Sequence, residues 1–338
     1  MRGQHHTLAS PLHSGLEATR TPAMTMETKA ASPNILDLFA AAFTEIRAIR
    51  NSEMVEMTDD MRRSAKASTV SLSRGALHYE LVGPDDGPVA VLLSGATLPM
   101  WVWDPVMAPL AAVGFRVLRF NYYGRGCSDC PFDPQDPAFF NAQITELTEA
   151  LALRPPFHIV SIAFGALVGL LYAEQAPARV ASLTLIAPDG MGTNVSPGLG
   201  LTLTPGLGDY LFDLVGNDLL LQRMPTYSDD RAVVADLTRR ISECFAVKGY
   251  KRSVLSSIRE MPIHTAEASY RAVAANRTRT LVLWGRRDGT TPVAIMDRIR
   301  PVMPDAEYRV LEAAHLPPYE DPDLFLSALL PFLRSAVG

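Results

Sequence analysis

Six short apolar runs, spaced so that a helical stretch fits between most of them, constrain this chain most. Pro88–Ser94 (PVAVLLS), Phe115–Asn121 (FRVLRFN), Phe157–Ile162 (FHIVSI), Val180–Ala187 (VASLTLIA), Thr278–Gly285 (TRTLVLWG) and Glu307–Leu311 (EYRVL) are too short for buried helices. Their continuous hydrophobicity is that of strands covered on both faces. Between them lie helical patterns at 106–113, 141–152, 164–175, 292–302 and 323–336. Strands alternating with helices predict βαβ units and an α/β fold, a mostly parallel central sheet with helices on both faces. Two further runs, Thr69–Ser73 and Ala76–Val82, are split by Arg74-Gly75 and read as a hairpin at the start of the sheet.

The alternation stops between Asp189 and about Asn276. That stretch opens Gly- and Pro-rich and continues with helical patterns around 211–221, 231–246 and 251–258. An insertion after a strand's C-terminal end lies over the edge where α/β proteins bind ligands, so residues 189–276 are expected to form a helical cap. The core is then 67–188 plus 277–338. Residues 34–66 are expected to hold an accessory helix, its apolar face set by Ile35, Leu36, Leu38, Phe39, Phe43 and Ile46. This helix could pack on the body, cover a mouth or pair two copies as a homodimer. Residues 1–33 have no hydrophobic period and no continuous apolar core of a secretory signal, and read as a disordered leader.

Composition narrows the function classes. With 31 Lys+Arg against 36 Asp+Glu and a net charge of -5, no basic stripe suggests nucleic acid as a partner. No apolar run reaches the ~18 residues of a membrane span. The three cysteines, Cys127, Cys130 and Cys244, form no disulfide framework and suit a reducing, cytoplasmic compartment. No metal-ligand spacing occurs, Gly190-Met-Gly192 lacks the rest of a dinucleotide fingerprint, and no phosphate loop is present, so neither metal nor cofactor is expected.

Three pieces carry chemistry: a strand, tight turn and helix at His158–Gly169 (HIVSIAFGALVG), a strand followed by an acid at Leu281–Asp288 (LVLWGRRD), and a strand followed by a histidine at Arg309–His315 (RVLEAAH). Together with LLSGATLPMWVWDPV, FNYYGRGCSD and APARVASLTLIAP, in this order, they make residues 69 to 336 resemble the α/β-hydrolase family. The resemblance implies an α/β-hydrolase fold and a triad ordered nucleophile, acid, histidine. It places Asp288 as the acid that orients the imidazole and His315 as the base. Backbone N–H groups of Ala96 and Phe164 would form the oxyanion hole.

The chain departs from the family at the nucleophile. The five elbow positions are Ser161, Ile162, Ala163, Phe164 and Gly165, and alanine stands where the attacking serine belongs. A methyl group cannot attack a carbonyl, so the usual covalent route is closed. Two origins stay open. The alanine is an engineered substitution that silences a serine hydrolase, which the retained Asp288 and His315 favour. Alternatively it belongs to a natural homologue, which Ser94 and Asn121, in place of the family's His and Asp, favour. Ser161 sits roughly 6–7 Å back along the strand and takes the small-residue place of the elbow instead. His158 reads as a core or edge residue, and Cys127 and Cys130 as ordinary thiols.

Leu98, Trp101 and Trp103, after the oxyanion loop, are the expected substrate-binding residues, with Leu199, Leu201, Phe212, Met224 and Tyr227 added from the cap. A pocket of that kind suits a small hydrophobic or aromatic ester, lactone or related acyl compound. The rival classes are a non-nucleophilic lyase, isomerase or cyclase using His315 as general base, and a non-catalytic binding protein.

Overall fold

The structure is a computed structural model, described here for residues 53–192 and 197–335. The leader, the apolar pattern around Ile35–Ile46 and Leu199's side chain lie outside the described residues. Helix α1 (Asp59–Ser64) precedes the hairpin β1 (Thr69–Leu72) and β2 (Gly75–Val82). Gly75, at φ +123, makes the turn, where an added Cβ would meet the Asp129 carboxylate.

Then follow β3 (Val89–Leu93), a 3-10 turn (Met100–Trp103), α2 (Asp104–Ala112), β4 (Arg116–Phe120), α3 (Pro137–Ala150), β5 (Phe157–Ile162), α4 (Phe164–Gln175) and β6 (Val180–Ile186). The expected insertion is helical: α5 (Pro197–Thr202), α6 (Leu207–Leu221), α7 (Arg231–Cys244), α8 (Tyr250–Glu260) and α9 (Glu267–Ala275). The chain returns through β7 (Thr280–Gly285), α10 (Met296–Ile299), β8 (Glu307–Leu311), α11 (Pro317–Glu320) and α12 (Pro322–Arg334).

The eight strands lie in the order β1-β2-β4-β3-β5-β6-β7-β8. β2 runs antiparallel to both its neighbours, and the six strands from β4 to β8 are parallel. The apolar runs are central because both of their faces are covered: every residue of β3, β5 and β7 is buried. One apolar layer gathers α3 and α4 residues such as Phe140 and Leu167, the other α2 and α12 residues such as Leu110 and Leu329.

Two helical expectations shift. α3 begins at Pro137 rather than 141, because Asp136 caps it by accepting the Phe139 N–H at 2.8 Å. The stretch 292–302 is not one helix but a 3-10 turn (Val293–Ile295) running into the four-residue α10. No described helix is long and apolar enough to cross a membrane.

Candidate active site

Every parallel strand from β3 to β8 points its C-terminal end to one edge of the sheet, where α/β folds place their ligands. The loops after β3, β5, β6, β7 and β8 bring Ala96, Ala163, Asp189, Thr291 and His315 to the lining of one cavity. Tyr227, Arg223, Ile258 and Ile263 of the helical insertion close it from the other side.

Ala163 sits at the bend between β5 and α4 with φ 52 and ψ -120, a conformation that costs an alanine of order 1–3 kcal/mol. The surroundings hold it there. Its N–H donates to the Ile186 carbonyl at 2.8 Å, and its carbonyl accepts the Ala166 N–H at 2.9 Å. Gly165 allows the helix to press on β3: a Cβ there would lie 2.2 Å from the Ser94 carbonyl oxygen and 2.5 Å from that of Leu93. Phe164 opens α4, so its N–H has no intrahelical acceptor. Ser161 is fully buried and donates its hydroxyl to the Thr184 carbonyl at 2.8 Å, turned away from the cavity.

Asp288 follows β7 and splits its carboxylate between two tasks. Oδ1 accepts the N–H groups of Thr290 and Thr291, each at 2.8 Å, which fixes the turn. Oδ2 lies 2.8 Å from His315 Nδ1, and both side chains are shut from solvent, 0% and 3% exposed. Its two oxygens thus serve different partners, the Thr290–Thr291 turn and the His315 ring. The His315 N–H donates to the Tyr227 carbonyl at 3.1 Å, and the two rings lie 5.1 Å apart. With Nδ1 engaged, Nε2 is the nitrogen left for the cavity.

The loop after β3 is held by a residue that the sequence reading did not single out. Arg125 is fully buried, and its guanidinium donates to the Ala96 carbonyl through both Nε (3.0 Å) and Nη2 (2.9 Å). Its other N–H groups reach the Tyr123 carbonyl, Gln135 Oε1 and Ser257 Oγ, tying the Ala96 loop to α8. Burial without a carboxylate partner lowers its pKa to about 10.

The aromatic expectation is corrected. Leu98 and Val102 line the cavity, whereas Trp101 and Trp103 do not. The 3-10 turn sends alternate side chains apart. Trp101 lies 5.8 Å from the Tyr319 ring and under the Arg240 guanidinium at 4.2 Å, and Trp103 is fully buried against Phe325. Of the described insertion residues proposed for binding, only Tyr227 reaches the cavity, since Phe212 and Met224 are core and Leu201 is exposed.

His158 is a core residue, its Nδ1 2.8 Å from Ser182 Oγ and its pKa lowered to about 4 chiefly by burial. Asn121, at the family's usual Asp position, is fully engaged: Oδ1 accepts the Met100 N–H at 2.7 Å and Nδ2 lies 2.8 Å from His78 Nδ1. Among the described residues no cluster of His, Cys, Asp or Glu could hold a metal ion.

Two further cavity residues, Asp189 and Arg223, were not anticipated. For Asp189 a signal existed: an acid directly after a strand (IAPDG), as for Asp288. Arg223 had none, because nothing local distinguishes it from a surface arginine.

Comparison with known proteins agrees with this architecture. The family profile of the alpha/beta hydrolase family matches residues 90–328. A candidate carbamate hydrolase of Variovorax paradoxus is 38% identical over 111 residues, 32% of this chain and 41% of that protein, so the match spans less than half of the relative. A 2-hydroxy-6-oxo-6-phenylhexa-2,4-dienoate hydrolase of Burkholderia cepacia is 25% identical over 274 residues, 78% of this chain and 93% of that protein. Among solved structures, the enol-lactonase from Burkholderia xenovorans superposes with a TM-score of 0.66 at 20% identity, over 79% of this chain and 100% of the other. On the profile match and the eight-stranded sheet, this chain belongs to the α/β hydrolase family.

Proposed function

We propose that this site hydrolyses carboxylic esters or lactones, with the Asp288–His315 pair as its base and the Ala96 and Phe164 N–H groups as its oxyanion site. One observation carries the reading. The bend at Ala163 (φ 52, ψ -120) faces the same cavity as His315, whose Nδ1 is held 2.8 Å from the Asp288 carboxylate. A serine at position 163 would open onto the cavity that the His315 imidazole also lines.

Asp288 keeps the Nδ1–H tautomer, so Nε2 accepts a proton. In the chain as it stands, the proton comes from water, whose oxygen attacks the carbonyl carbon while the two backbone N–H groups take the developing negative charge; the carbonyl then re-forms as the bond to the alcohol oxygen breaks, and His315 returns its proton to that oxygen. No acyl-enzyme forms, because Ala163 has no atom that can attack. The wall supplied by Leu98, Val102, Ile162 and Leu316 favours an apolar acyl or alcohol part. The relatives with a hydrolase or lactonase name support this class of reaction.

The test is Ala163→Ser assayed on p-nitrophenyl esters and lactones. The variant is expected to release a burst of one p-nitrophenolate per chain and to gain about 10³-fold or more in kcat, a gain that His315→Ala removes. No burst and no dependence on His315 would overturn the reading.

A second reading has its own support, because Asn121 is integrated into the structure rather than left over. A non-nucleophilic enzyme would use His315 to take a proton from a carbon beside the substrate carbonyl. It predicts His315-dependent exchange of that proton for deuterium in the unaltered chain, and no burst in Ala163→Ser.

A further inference from the structure

The cavity holds two charged side chains that neither the base nor the oxyanion site uses. Asp189 leaves β6 beside the bend: its N–H donates to the Ala163 carbonyl at 3.4 Å, and its own carbonyl accepts the Tyr270 hydroxyl at 2.7 Å. Its backbone is thus pinned, while its carboxyl, partly buried in the cavity wall, has no hydrogen-bond partner among the described residues. Arg223 enters from the insertion, between α6 and the 3-10 turn Met224–Thr226. It is also partly buried and lines the cavity, and its guanidinium makes no hydrogen bond or ion pair with any described residue.

The contrast with Arg125 is informative. That guanidinium is buried too, but it is surrounded by acceptors. A guanidinium stays charged at any working pH. In a cavity that Ile258, Ile263 and Leu98 also line, and without an acceptor, it is poised for an anion that arrives with the ligand. Asp189 does not fill that role, since the two face the same space without forming an ion pair.

We propose that Arg223 and Asp189 form a carboxylate-recognition subsite, so that the substrate is an ester or lactone that also carries a free carboxylate. The guanidinium pairs with the two carboxylate oxygens, and the Asp189 carboxyl, when protonated, donates a hydrogen bond to one of them. The ester or lactone half of this statement rests on the hydrolase reading, whereas the carboxylate half is testable without turnover.

Proton linkage gives the subsite a signature. Burial pushes the Asp189 carboxyl up to about 6, and Asp288 adds to the rise, against the opposing pull of His315 and Arg223. The charged and titratable groups that face it are Arg223 and Tyr270 from the insertion, His315 after β8 and Asp288 after β7. Above pH 6 the ionised Asp189 repels an incoming carboxylate. Below pH 6 it is neutral and a donor. Binding of an anion therefore takes up a proton and tightens as pH falls from 8 to 6.

The experiment is calorimetric titration of the unaltered chain with 4-phenylbutyrate and with its neutral counterpart 4-phenylbutyramide, at pH 8 and pH 6. The acid is expected to bind about tenfold tighter than the amide at pH 6, and to tighten about tenfold between pH 8 and pH 6. Arg223→Gln should erase the acid's advantage, Arg223→Lys should retain part of it, and Asp189→Asn should flatten the pH dependence. Equal binding of acid and amide overturns the proposal, as does failure of both to bind at millimolar concentration. An acid preference untouched by Arg223→Gln also overturns it, because the oxyanion N–H groups would then hold the carboxylate. Burst turnover by Ala163→Ser without an acid preference defeats only the carboxylate subsite. An acid preference without burst turnover defeats only the hydrolase reading.

Discussion

At position 163 an alanine holds a strained backbone conformation at the bend between β5 and α4. An alanine at φ 52 gains nothing from that conformation itself. The cost is offset by hydrogen bonds to Ile186 and Ala166 and by the close approach at Gly165, which do not depend on the side chain. Asp189 shows the same logic in electrostatic form. Its pKa, raised from 3.8 to about 6, means that the folded chain holds this proton more tightly than the unfolded chain does. The sign follows: between pH 3.8 and about 6 stability falls as pH rises, and above pH 6 the whole penalty is present. Asp189→Asn is therefore expected to stabilise the protein at pH 8 by up to about 3 kcal/mol, and much less at pH 4. Urea midpoints of parent and variant at the two pH values check this, and a gain over the parent no larger at pH 8 than at pH 4 would contradict it.

At the scale of elements, the site depends on how closely α4 can lie on β3. Gly165→Ala would place a methyl 2.2 Å from a backbone carbonyl oxygen that has no room to retreat. The expected loss is about 3 kcal/mol in urea unfolding. Gly95→Ala is the contrast. Its nearest neighbour would be the Ala163 Cβ at 4.0 Å, an ordinary contact, and its stability should change by less than about 1 kcal/mol. Comparable losses in the two variants would show that the helix–strand approach is not the governing restraint. The 3-10 turn Met100–Trp103 carries a different lesson. Its three buried residues share no single face, so Val102 reaches the cavity while Trp103 enters the core. Sequence proximity to the Ala96 loop did not reveal which would do which.

Over the whole molecule, the buried His158 and half-buried His78 couple the fold to acid. His158 and His78 both have pKa values lowered from 6.5 to about 4, mainly by burial. The unfolded chain takes up these protons first, so their contribution is complete above pH 6.5 and is lost as pH falls toward 4. Each is worth on the order of 3 kcal/mol over that window. His158→Gln should lose less stability between pH 7 and pH 4.5 than the parent chain, as read from urea midpoints, and an equal loss would rule out this source of acid sensitivity.

The alternation of apolar runs and helical stretches was enough to establish a parallel α/β sheet, because strands buried on both faces are hydrophobic throughout. The order of the elbow, Asp288 and His315 was equally readable, since each follows directly on such a strand. What sequence could not show was where separate loops meet. Only the packing of the insertion over the sheet edge brings Arg223 into the cavity that Asp189 lines, and only the buried environment of Arg125 makes it the anchor of the Ala96 loop. Those roles arise from groups far apart in the chain, whose charges matter only once the fold removes them from water.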